Sequence, residues 1–100
     1  MDNIKLVRLV TGEELLCEIT DNIEKDGYDL KNILIVMVAE ANKLGFAPYM
    51  PYTEAENGLH ISGRHIMFIV DAKEELVNQY KHVYNKIITP DSNITLPRIN

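Results

Sequence analysis

The sequence predicts a mainly β protein, a small, strongly bent, five-stranded antiparallel barrel followed by one C-terminal α-helix. Three observations lead to this fold class. Short segments alternate apolar and polar residues, as half-buried strands do, and glycines interrupt them at Gly12 and Gly63. Apolar residues recur at helical spacing between Ala72 and Ile87. So small a sheet must close on itself or pair its edges with other subunits.

The first half of the chain predicts a hairpin and then a long strand. Ile4 to Val10 is rich in branched apolar residues, and the turn Thr11-Gly12-Glu13 leads into a second alternating segment. Asp21 to Asp29 is polar and acidic, which predicts a loop or a widened hairpin connection. Leu30 to Ala41 contains a branched apolar run that favours a strand buried on both faces. Periodicity alone leaves a buried helix open there.

The second half predicts a turn, an irregular strand and a strand pair about a glycine. Asn42-Lys43 turns the chain into Leu44 to Tyr52, where Pro48 and Pro51 remove backbone donors. Such a segment requires an edge, a bulge or a bend. Residues 57 to 70 read as two short strands with a kink at Gly63 between them.

The helix is predicted over residues 72 to 87, at the C-terminal end of a single domain that spans residues 1 to 88. Asp71 is its expected N-cap, with Glu74 three residues later. The tail from residue 89 to residue 100 is expected to be loosely ordered. One face of the helix is apolar and is expected to pack on the core, through Leu76, Val77, Tyr80, Val83, Tyr84 and Ile87.

Composition narrows the classes of function. The chain has 100 residues, of which 46% are apolar and 25% are charged, and this suits one compact domain. It shows neither a basic apolar leader nor an apolar run of the roughly 18 residues that a membrane span requires, so we expect a cytoplasmic protein. The single Cys17 predicts a buried apolar residue. A net charge of -5 argues against non-specific duplex binding and leaves local RNA binding open.

Two motifs carry a family resemblance. Val7, Leu9, Gly12, Cys17 and Ile19 follow the spacing of one motif, with Cys17 where glycine is usual. The chain resembles the Sm-like family, and it is closest in character to the small phage-encoded members. The resemblance implies a barrel, a homo-oligomeric ring joined by edge strands, and single-stranded RNA at the loops of the ring, in the host cytoplasm if the chain is phage-encoded. The second motif is matched by Gly58, Leu59, Ile61, Gly63, Ile66 and Ile69.

Recognition of single-stranded RNA requires a π face, a polar side chain for the base edge and cations for phosphate. Tyr28, Asn32 and Arg64 supply one of each if the two loops that carry them meet. Each also has a structural alternative: a partly buried tyrosine, a turn asparagine and a solvated ion pair, respectively. The full predicted RNA-binding set comprises Tyr28, Asp29, Lys31, Asn32, Gly63, Arg64 and His65.

Subunit contacts are predicted at aromatic and apolar residues, since such residues are enriched at interfaces. Tyr49, Tyr52, Ile66 and Phe68 are the candidates. The alternative function is an oligomeric structural or protein-interaction module without RNA binding, which the acidic balance and Ser62, where the family commonly has arginine, would permit. Neither the histidines nor the acidic residues form a recognised metal or catalytic pattern, so no enzyme activity, metal or cofactor is expected.

Overall fold

The computed structural model describes residues 3–88, so the predicted tail lies outside the described residues. One antiparallel sheet of six strands carries a single helix against one face. None of the described helices has the length and apolar character needed to cross a membrane. The strands are β1 (Ile4–Leu9), β2 (Glu14–Asn22), β3 (Gly27–Val38), β4 (Leu44–Pro48), β5 (Leu59–Ser62) and β6 (Ile66–Asp71), and the helix is α1 (Glu74–Ile88).

The mainly β prediction with a C-terminal helix is confirmed, and the prediction of a closed five-stranded barrel is wrong. The strand order is β4-β3-β2-β1-β6, with β5 also paired to β3, and the sheet is not closed. Three strands follow Lys43: the predicted irregular strand forms β4, and the predicted pair about Gly63 forms β5 and β6. Pro48 is the last residue of β4, and pairing with β3 resumes at Leu59 in β5.

Two strands share one edge of β3 because β3 bends at Asn32. The register with β2 shifts between the pairs Leu16↔Leu34 and Glu18↔Lys31, so β3 holds one extra residue there. Asn32 has a φ of 52°, in the left-handed region that asparagine tolerates better than most residues. A bulge of this kind bends its strand. The part of β3 before the bulge pairs with β5, and the part after it pairs with β4.

The core has two apolar clusters, one on each face of the sheet. The helix-side cluster joins Leu16 and Leu34 of the sheet to Tyr80 and Tyr84 of α1, whose rings lie 4.9 Å apart. The opposite cluster includes Cys17, which confirms its predicted burial. Strands from both ends of the sheet contribute to this second cluster, so the sheet curls around it. Its buried members are Val7, Leu9, Leu15, Cys17, Ile19, Leu30, Ile33 and Ile61.

The predicted connection from Asp21 to Asp29 joins β2 and β3 as a hairpin, and it is shorter than predicted, since β2 continues to Asn22 and β3 begins at Gly27. A Cβ at Gly27 would clash with the carbonyl oxygen of Ile61, so only glycine allows this close pairing with β5.

The helix begins later than predicted. The carbonyl of Lys73 accepts the first helical hydrogen bond, so Lys73 is the N-cap in place of Asp71. Asp71 instead ends β6 and forms an ion pair with Lys5 of β1. The pairing of β6 with β1 therefore determines where the helix can start.

Replacing Tyr80 with phenylalanine tests the link between the helix and the bulge. The Tyr80 hydroxyl donates a hydrogen bond to the Asn32 carbonyl at 2.7 Å, and Tyr80 is fully buried. We expect Tyr80→Phe to lower the free energy of unfolding by about 1 to 2 kcal/mol, because the carbonyl loses its partner. Urea titration measures this change. The matched control Tyr52→Phe, at a side chain 84% exposed, should change stability by less than about 0.5 kcal/mol, and equal effects would contradict the assignment.

Candidate functional site

A row of polar side chains crosses three neighbouring strands. Thr20 of β2 pairs with Asp29 of β3, and Asp29 pairs with His60 of β5. Residues opposite each other in a sheet point to the same face, so the three side chains lie side by side. They border a cavity of about 420 Å³. Its lining is Thr20, Asp29, Leu30, Lys31, Asn57, Gly58, Leu59 and His60.

The imidazole of His60 is held at both of its nitrogens. Nδ1 lies 2.9 Å from Oδ1 of Asp29, and Nε2 lies 3.2 Å from the carbonyl oxygen of Lys25. These two contacts tie β5 to β3 and to the connection between β2 and β3.

Asp29 is an ionised acceptor within this arrangement. The hydrogen bond with His60 lowers the pKa of its carboxyl group, and the hydrogen bond from Nδ2 of Asn22, at 2.8 Å, lowers it further. The carboxylate is exposed to solvent and remains charged at neutral pH. Nε2 of His60 faces the Lys25 carbonyl, so this nitrogen is engaged within the protein.

The predicted RNA-binding residues of β3 lie in three different surroundings: the cavity, the opposite face of the sheet and the bulge. Asp29 and Lys31 line the cavity together. Tyr28 lies between Asp29 and Gly27 on the other face, where its ring packs against the opposite cluster. Asn32 is the bulge residue, and its Nδ2 donates to Oε2 of Glu18 at 2.6 Å. The predicted stacking ring and base-reading amide therefore do not meet at the cavity.

Gly63, Arg64 and His65 form the short 3-10 turn between β5 and β6. The Gly63 N–H donates to the Asp26 carbonyl at 3.3 Å, which places this turn against the connection between β2 and β3. The His65 carbonyl accepts from the Val10 N–H at 2.9 Å, at the end of β1. The two loops of the prediction therefore do meet, and the side chains of Arg64 and His65 are exposed beside them.

The four predicted interface residues differ in their surroundings. Tyr49 packs against the opposite cluster, and its hydroxyl donates to Oε1 of Glu13 at 3.3 Å. Burial, followed by the nearby Glu13 carboxylate, raises the pKa of Tyr49. Ile66 also packs against this cluster. Tyr52 and Phe68 are exposed.

Thr20, Asn57 and His60 belong to the site and were not predicted. The alternation of His60 with Leu59 and Ile61 indicated which face it occupies, but its partner Asp29 is 31 residues away in sequence. No local pattern marks Thr20 or Asn57. Over residues 3–88, no three His, Cys, Asp or Glu side chains converge as metal ligands.

Comparison with protein-family models and with curated proteins finds no match. Lys31 is a donor, Asp29 is an acceptor, and Asn57 and Thr20 are both, whereas both nitrogens of His60 are already engaged within the protein. This mixture suits a polar ligand with both anionic and hydrogen-bonding groups.

The pairing of Asp29 with His60 predicts that loss of the histidine changes the titration of the Asp29 carboxyl group. Folding lowers the pKa of Asp29, so the pair stabilises the fold above the carboxyl's unfolded pKa, about 3.9, and this stabilisation is lost as pH falls through the folded value. We expect the NMR titration of the Asp29 side chain to move to higher pH in His60→Ala. In Asn22→Ala the displacement should be smaller. An unchanged titration in His60→Ala would contradict the pairing.

Proposed function

We propose that this protein is an Sm-like subunit that assembles into a homo-oligomeric ring and binds single-stranded RNA. The observation that carries the RNA proposal is the cavity in which Lys31 and His60 lie beside the hydrogen-bonding groups of Thr20, Asn57 and Asp29. The turn that carries Arg64 follows directly on β5, the strand of His60.

The open sheet supports assembly. β6 presents Met67, Phe68 and Val70 with exposed fractions of 57%, 39% and 44%. At the opposite end of the sheet, the hairpin between β3 and β4 also has exposed apolar side chains, those of Val38 and Leu44. Bare sheet edges with apolar side chains invite pairing with another chain. Pairing between two different edges is heterologous, and it closes into a ring when the rotation between subunits allows.

The charge distribution is compatible with RNA binding. Lys31 and Arg64 are exposed, and neither takes part in an ion pair with another described residue. Phosphate binding requires such cations. A ring repeats each of them once per subunit, so positive charge becomes concentrated locally although each chain carries -5. The His60 ring borders the cavity and supplies a flat surface against which a base would pack.

A second candidate is an oligomeric structural or protein-interaction module without RNA binding. It is favoured by the engagement of two proposed RNA-binding side chains within the protein itself. Asn32 donates to Glu18, and Asp29 accepts from Asn22 and pairs with His60. The fold and the assembly are common to both proposals, and only the ligand differs.

Assembly is tested by placing charge on β6. We expect the unmodified protein to sediment as an oligomer at micromolar concentration, and Val70→Lys to sediment as a smaller species, because the ammonium group would be desolvated in the pairing surface. The matched control is Ile23→Lys, which alters an 87% exposed side chain away from both outer edges and should leave the oligomer intact. A monomeric unmodified protein would rule out both candidate functions.

RNA binding is tested with uridine-rich and adenosine-rich oligomers at two salt concentrations. We expect saturable binding that weakens in Lys31→Ala and Arg64→Ala, and the slope of log affinity against log salt should fall by roughly 0.7 for each phosphate that the variant no longer neutralises. Lys81→Ala, on α1, is the control and should bind as the unmodified chain does. An intact oligomer without saturable binding would favour the structural module.

A further inference from the structure

Asn57 is followed directly by a glycine, and no other asparagine of the sequence is. Each of the others that has a successor precedes Ile, Lys or Gln. Asn57 ends the 3-10 turn Ala55–Asn57 between β4 and β5, and both Asn57 and Gly58 are exposed. Asparagine is a chemically labile residue, and a following glycine has no side chain to hinder attack on its amide. The reactive pair is therefore open to water.

We propose that Asn57 is a site of spontaneous modification, at which its side-chain amide becomes a carboxylate in the wall of the polar cavity. The backbone nitrogen of Gly58 attacks Cγ of Asn57, and the Cγ–Nδ2 bond breaks. The proton of the attacking nitrogen passes to the departing amide group, which leaves as ammonia. Water then opens the resulting cyclic imide at either of its carbonyls, which gives aspartate or isoaspartate. No oxidant or reductant takes part.

The local structure leaves this reaction accessible. A Cβ at Gly58 would meet nothing within 4 Å, so the backbone is open there. Two hydrogen bonds oppose ring closure: the Gly58 N–H donates to the Ala55 carbonyl at 3.0 Å, and Nδ2 of Asn57 donates to Oε1 of Glu54 at 2.8 Å. Both belong to a short surface turn, and 3-10 hydrogen bonds have poor geometry. Local opening of the turn, without unfolding of the sheet, is therefore enough.

The position of Asn57 gives the change its effect. Asn57 lines the cavity together with Asp29 and Lys31. Among the described lining residues Lys31 is the single lysine or arginine, so after the reaction two carboxylates share the cavity with one ammonium group. Isoaspartate also adds one carbon to the main chain just before β5, which pairs with β3 from Leu59 onward. The consequence rests on the proposed function: as the protein ages, the site loses affinity for phosphate.

Peptide mapping by mass spectrometry tests the modification. The folded protein is stored in mildly alkaline and in mildly acidic buffer. We expect the peptide that contains Asn57 to gain one mass unit, faster in alkali, because the attacking nitrogen must lose its proton. Asn78 is the internal control, since it is exposed on α1 but precedes Gln79. Asn57→Gln should abolish the gain, because the longer side chain closes a ring far more slowly. Amides of Asn57 and Asn78 that survive equally long overturn the inference.

Binding of uridine-rich and adenosine-rich oligomers tests the effect on the site. We expect Asn57→Asp, which carries the charge of the product, to bind about threefold more weakly than the unmodified chain, as one carboxylate about 6 Å from a phosphate in water would cause. The difference should shrink at the higher of two salt concentrations. Asn57→Gln keeps an uncharged amide and is the matched control. Equal affinities of Asn57→Asp and Asn57→Gln overturn the effect of the charge.

The two measurements separate this inference from the proposed function. Conversion of Asn57 in a protein that binds no RNA upholds the modification site and overturns the RNA proposal. RNA binding by a protein whose Asn57 stays intact as long as Asn78 overturns the inference, while the proposed function stands.

Discussion

The bulge at Asn32 is the constraint on which the rest of the structure depends. It lets β3 follow two directions, so that one edge of a single strand accepts β5 before the bend and β4 after it. Two contacts hold the bulge, one from its own side chain to Glu18 and one from its carbonyl to the Tyr80 hydroxyl of α1. Helix docking and strand bending are therefore one event, because each depends on groups that the other brings into place.

The polar cavity and a groove beside α1 lie on opposite sides of this bend. Before it, the pairing with β5 brings His60 beside Asp29 and forms the polar cavity. After it, the pairing with β4 leaves an outer edge beside α1, and a groove of about 440 Å³ lies between Leu44 of β4 and Leu76 of α1. The cavity and the groove therefore lie along the two halves of the same strand.

The sequence predicted the elements that depend on local patterns. The hairpin at Gly12, the burial of Cys17 and the amphipathic helix all follow from periodicity over a few residues, and the structure has all three. The unclosed sheet and the helix start at Lys73 depend instead on which distant strands pair. Gly27 shows the difference, since its necessity comes from the Ile61 carbonyl, which no local pattern reveals.

The candidate site shows the same division. Asp29 was predicted from the family resemblance and Lys31 as a cation for phosphate, and they do share a cavity, but His60 enters it only through the pairing of β3 with β5. Asn32 was predicted to contact a base, but in the structure it forms the bulge of β3, because asparagine tolerates a positive φ and forms local hydrogen bonds. The residue types of Asp29, Lys31 and Asn32 therefore indicated that this part of β3 contains the candidate site. Only the register of the strands separates the side chains that bend the sheet from those that face a ligand.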